Sequence, residues 1–164
     1  MARDPAILKK VSVSLPFGLG SAEWQADSTE RNAAWSLYVE LVTRISVEPL
    51  EESEGFHREA FNSLYSLFET TREVLREAGP GVGASHNSVG GIAIAVLNRG
   101  IRPFLTKWHP SLQTWEAQKP EGVSSQEHQQ SWEKEAQLRR KLEALRQELN
   151  KYAQALAQIA GIES

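Results

Sequence analysis

Few side chains in this sequence are both reactive in type and grouped closely enough to act together. Arg99, Arg102, Lys107 and His109 are the best such group. From Asn87 to Trp115 the chain carries no Asp or Glu, so these cations have no local carboxylate to neutralise them. Arg99 and Arg102 are three residues apart and share one face of a helix. A guanidinium buried on such a face needs an acid from another helix, Glu40 for example, or an anionic ligand. An interhelical pocket around Arg99 and Arg102, with Lys107 and His109 beside it, is therefore expected to hold a small anion or nucleotide if it holds anything.

Other chemistries are poorly supplied. The four histidines, His57, His86, His109 and His128, are scattered. Glu54 and His57 give one Glu-x-x-His pair, whereas a di-metal site in a helical bundle needs two such pairs on different helices. With no cysteine, thiolate ligands, disulfides and a cysteine nucleophile are all excluded. Asp occurs only at positions 4 and 27, and no Gly-x-Ser-x-Gly elbow is present. The glycines at 79, 81 and 83 follow no strand and precede no Gly-Lys-Ser/Thr, so neither nucleotide-loop fingerprint is met. The sequence thus predicts no catalytic residue, no metal and no cofactor. It favours binding over catalysis.

The elements that position these residues are mostly helices. Asp27, with Glu30 three positions on, reads as the cap of a first helix over 28–47, its apolar face built from Trp35, Tyr38, Leu41, Val42 and Ile45. Phe61, Leu64, Leu67, Phe68, Thr71 and Leu75 mark a second. A third, capped by Asn87 or Ser88, carries Ile92, Ala95, Val96, Ile101, Phe104, Leu105, Trp108 and Leu112, with Pro103 and Pro110 expected to kink it. The fourth starts after Ser124 or Ser125. Leu138, Leu142, Leu145, Leu149, Tyr152, Leu156 and Ile159 alternate steps of four and three, a heptad stripe over three repeats. Short connections make an antiparallel four-helix bundle the expected all-α architecture for residues 23–164.

Residues 1–22 read differently. Val11, Val13 and Leu15 alternate with serines, the period of a short β-strand, and Pro16 closes the run. A strand must pair with a hairpin mate, a second copy or a partner. Together with the heptad stripe and the tryptophans at element edges, this supports a non-enzymatic interaction module, an adaptor or regulatory subunit that self-associates. Val11, Val13, Leu15, Trp24, Trp132, Leu142 and Leu149 are its expected contact residues. The anionic-ligand sensor or enzyme is the alternative. The net charge of −3 argues against nucleic acid. The longest apolar run, 89–97, is too short to cross a membrane, and the first residues turn polar too soon for a signal peptide. A soluble cytoplasmic chain, partnered by protein or by its own copy, is expected.

Overall fold

The computed structural model describes residues 10–44, 57–83 and 87–162. It is mainly helical, with one two-stranded antiparallel sheet. Strand β1 (Val11–Ser14) pairs with β2 (Ser21–Trp24), Val11 opposite Trp24 and Ser14 opposite Ser21. The expected strand therefore has its mate in the same chain. β2 alternates polar and apolar residues (Ser21, Ala22, Glu23, Trp24) over four positions only, too short a run to mark a strand by itself. It forms because the intervening turn folds the chain back: the Leu15 N–H donates to the Gly20 carbonyl at 2.8 Å, and Phe17, Gly18 and Gly20 take positive φ.

Helix α1 (Ser28–Val42) opens at Asp27, whose carboxylate accepts the Glu30 N–H at 2.8 Å. Glu30 does not close a capping box. Its carboxylate accepts instead from the Val89 N–H at 2.9 Å and the Trp24 indole at 3.4 Å, so it ties the hairpin to the start of α3 (Val89–Ala95). The buried face of α1 is Ala33, Ala34, Leu37 and Leu41, whereas Trp35 is 50% exposed and stacked on Tyr38. This corrects the predicted stripe. Apolar residues cover most of α1 outside the strip of Asn32, Ser36 and Glu40, so periodicity does not single out the inner face, and the alanines let it lie close against α6 (Glu135–Ala160). Ile45 lies outside the described residues.

Helix α2 (His57–Ala78) buries Phe61, Leu64, Leu67, Phe68 and Thr71, most of its expected stripe. Arg44 stitches α1 to it, donating to Ser66 Oγ at 2.6 Å and Thr70 Oγ1 at 2.9 Å. A 3-10 turn (Pro80–Gly83) then leads towards α3, which Ser88 caps. A side chain at Gly90 would place its Cβ 2.6 Å from the Val82 carbonyl oxygen. That neighbour is backbone and cannot step aside. Gly90→Ala is expected to cost about 1–3 kcal/mol, read as a lower denaturant midpoint with unchanged m-value.

The long third helix is interrupted by a π-turn (Val96–Ile101) that runs into α4 (Arg102–Ala117). Pro103 would drive its ring into the carbonyl four residues back in a regular helix, and the wider turn relieves that clash. Pro110 lies inside α4 and does not end it. The turn also receives the hairpin. The Phe17 ring lies 2.6 Å from where a Cβ on Gly100 would stand, and the Phe17 N–H donates to Glu148 Oε1 of α6 at 2.5 Å.

The expected fourth helix is two. Helix α5 (Ser125–Gln130), capped by Ser124, stops at a turn over 131–134 before α6 begins. The Trp132 N–H donates to Gln129 and the Glu135 N–H to Trp132, a tight turn that buries the Trp132 ring. Every residue of the heptad stripe, Leu138 to Ile159, is buried in this chain's own core. Gly161, at φ 83°, ends α6 in the left-handed conformation, and the Ile162 N–H reaches back to Ala157. Among the described residues no helix is long and apolar enough to cross a membrane.

Candidate functional site

Helices α2 and α4 pack side by side, and their exposed shoulders enclose a groove of about 520 Å³. Tyr65, Phe68 and Arg72 line it from α2. Arg102, Thr106 and His109 face them from α4. Residues three, four and seven apart on one helix fall on one face, which is why each helix contributes such a set. Phe68 forms the centre. Its ring is nearly buried, with the Arg102 guanidinium 4.9 Å and the Arg72 guanidinium 5.9 Å from its centroid. Arg102 is further steadied by donating from Nε to Asn98 Oδ1 at 3.2 Å. Neither arginine forms an ion pair among the described residues, and the groove lining contains no carboxylate.

His109 stands at one end, perpendicular to Tyr65 with 5.4 Å between ring centroids. On its other side Arg58 Nη1 approaches His109 Nδ1 at 3.5 Å. A guanidinium can only donate, so this contact suits the tautomer with the proton on Nε2. Arg58 itself is held by Glu116, with Nε to Oε2 at 3.1 Å and Nη2 to Oε1 at 2.6 Å. That fork–fork pairing raises the pKa of the Arg58 guanidinium above its ordinary range. It also leaves Arg58 neutralised, whereas Arg72 and Arg102 present free charge to the groove.

Two of the four cationic residues named from sequence, Arg102 and His109, meet in this groove. Seven residues apart, they lie two turns along the same face. Arg99 is exposed and does not line the groove, because it lies within the π-turn, whose wider winding breaks the spacing that would align it with Arg102. Lys107 lies over Trp108, its Nζ 5.5 Å from the ring centroid. Glu40 serves neither arginine and pairs with Arg44 at 2.8 Å. Arg72 and Tyr65 were missed by sequence reasoning. In the chain they resemble any polar residues on the outer face of an amphipathic helix.

The expected contact residues are placed otherwise. Val13, Leu15, Trp24, Trp132, Leu142 and Leu149 are all buried in the chain's own core, and Val11 packs half-buried against it. Trp132 meets Trp108 edge-on at 6.5 Å and lies near-parallel to Trp115 at 6.2 Å. Trp115 in turn stacks on His128 at 4.1 Å. The indole of Trp115 donates to the His128 carbonyl at 2.9 Å, and His128 Nε2 donates back to the Trp115 carbonyl at 2.6 Å. These rings lock α4, α5 and the start of α6 together.

The remaining histidine of note, His57, is fully buried at the start of α2. Its backbone N–H donates to Gln129 Oε1 at 2.9 Å, and its Nε2 meets Glu135, which Arg139 also holds at 2.8 Å. Burial pushes the imidazole below its ordinary range, and the Glu135 carboxylate offsets part of that push. His57 itself is sealed from solvent, and the cluster joins α2, α5 and α6 away from the α2–α4 groove. Among the described residues no three His, Asp or Glu side chains gather as a metal site. Glu54 and His86 lie outside the described residues. No protein-family model, curated protein or solved structure matches the chain.

Proposed function

We propose that this chain is a non-enzymatic helical-bundle module that binds a small anionic ligand in the groove between α2 and α4. Four rods, α1, α2, the α3–α4 pair and α6, form the bundle in this reading, and the hairpin closes one part of it. One observation carries the functional reading: two arginines, with His109 beside them, border an interhelical groove of ligand size whose lining has no acid to neutralise the guanidiniums. The overall charge of −3 makes that local cationic excess more informative, since the rest of the surface must be correspondingly acidic. Among the described residues no nucleophile hydrogen-bonded to a base borders the groove, so binding is favoured over turnover.

Inorganic pyrophosphate, titrated calorimetrically at low ionic strength, is the direct test. It should bind, and Arg102→Ala and Arg72→Ala should each weaken binding about tenfold, the worth of one charge-assisted contact. Arg140→Ala, on the exposed face of α6, should leave it unchanged. Equal weakening by all three variants would reduce the effect to net charge and remove the groove from consideration.

The protein–protein module keeps one favourable observation. Trp35 is 50% exposed and stacked on Tyr38, an aromatic pair open to a partner on α1 rather than on α6 or the hairpin.

A further inference from the structure

Resting on the anion-binding reading, we infer that the ligand of the α2–α4 groove is a nucleoside diphosphate, its phosphates on Arg72 and Arg102 and its base on Tyr65. The groove is divided chemically along its length. One part is cationic. Arg72 and Arg102 are both tied to the Phe68 ring, which holds two guanidiniums towards a single ligand. Two forks at neighbouring points suit a chain of phosphates better than one carboxylate, because each guanidinium presents a planar pair of donors to a separate phosphoryl group.

The other part is aromatic. Tyr65 lies two turns before Arg72 on α2, and His109 two turns after Arg102 on α4, so the ring pair and the arginine pair are successive layers of the same interface. Tyr65 is 41% exposed although His109 packs perpendicular to it, which leaves ring surface for a planar base to cover. Thr106, between the two layers on α4, adds a hydroxyl where a ribose would lie. His109 is oriented by Arg58 and so offers a ring N–H beside Tyr65 rather than a lone pair. An anion without a ring would use the first layer and leave the second bare.

The test compares three probes on the full chain by calorimetry: pyrophosphate, ADP and adenosine. ADP should bind about tenfold more tightly than pyrophosphate, the effect of one base stacked on an aromatic side chain, and adenosine alone should bind more weakly than either. Tyr65→Ala should bring ADP down to the affinity of pyrophosphate while leaving pyrophosphate itself unchanged. Circular dichroism checks that the variant stays folded, and Tyr65→Phe should restore the ADP advantage. If ADP and pyrophosphate bind equally, the groove is an anion site and the nucleotide inference fails by itself. An ADP advantage that survives Tyr65→Ala also overturns it. If neither probe binds, both readings fall together.

Discussion

Replacing Leu149 by Ala is expected to lower the unfolding free energy by about 2–5 kcal/mol. Leu149 is completely buried, in the middle of the α6 stripe that packs against α1. Removing its isobutyl group loses transfer free energy and leaves a cavity that the surrounding helices close only in part. For a chain of this size the loss corresponds to a fall of roughly 5–15 °C in melting temperature. The same experiment decides how the heptads are used. A stripe that packs within one chain predicts melting temperatures, for wild type and variant, that do not change when protein concentration is raised a hundredfold. A stripe that packs between chains would link folding to association, and the wild-type midpoint would climb with concentration. Such a climb, abolished by Leu149→Ala, would return the self-associating module to the front.

Acidification should weaken the fold through His57. The imidazole is buried, donates from Nε2 to Glu135, and has no hydrogen-bond partner at Nδ1 among the described residues. A second proton would put an unsatisfied donor and a charge in the core, with Arg139 also close by on α6. Burial is the largest cause of the depressed affinity, so the folded state releases its proton at a pH below the ordinary 6.5 of the unfolded chain. Above 6.5 neither state is protonated at this position and no penalty applies. Below 6.5 the unfolded state binds a proton that the folded state refuses, so stability falls as the pH drops towards the folded-state value. The slope from this one group reaches about 1.4 kcal/mol per pH unit. Urea midpoints between pH 8 and pH 5 should show the decline in wild type. His57→Gln keeps a donor for Glu135 and cannot titrate, so its profile should be flatter. Parallel profiles would assign the acid sensitivity to other groups.

Periodicity in the chain reveals most of the helices because it reports a local demand. Leu138 to Ile159 must face one way whatever lies opposite, and Phe61 to Thr71 likewise. Caps are equally local: Asp27, Ser88 and Ser124 each accept from an N–H three residues on, as their side-chain chemistry dictates. The site is only half legible. Arg102 and His109 stand out because their stretch lacks acids, but nothing in α2 singles out Arg72 or Tyr65 until α4 is laid beside it.

By itself, then, the order of residues determines which segments coil, where the capped ones start, and that there is no cysteine chemistry to call on. Tertiary structure decided the rest. It chose Ala33 and Ala34 over Trp35 as the inner face of α1, because close approach to α6 favours small side chains when apolar residues cover most of a helix. The hairpin mate of β1 came from a segment whose strand pattern, Ser21 to Trp24, is too short to stand out in the chain. A π-turn took Arg99 out of line with Arg102, and packing set Arg72 across from Arg102. Such outcomes depend on which surfaces meet in space, and side-chain spacing along one helix carries no information about its neighbour.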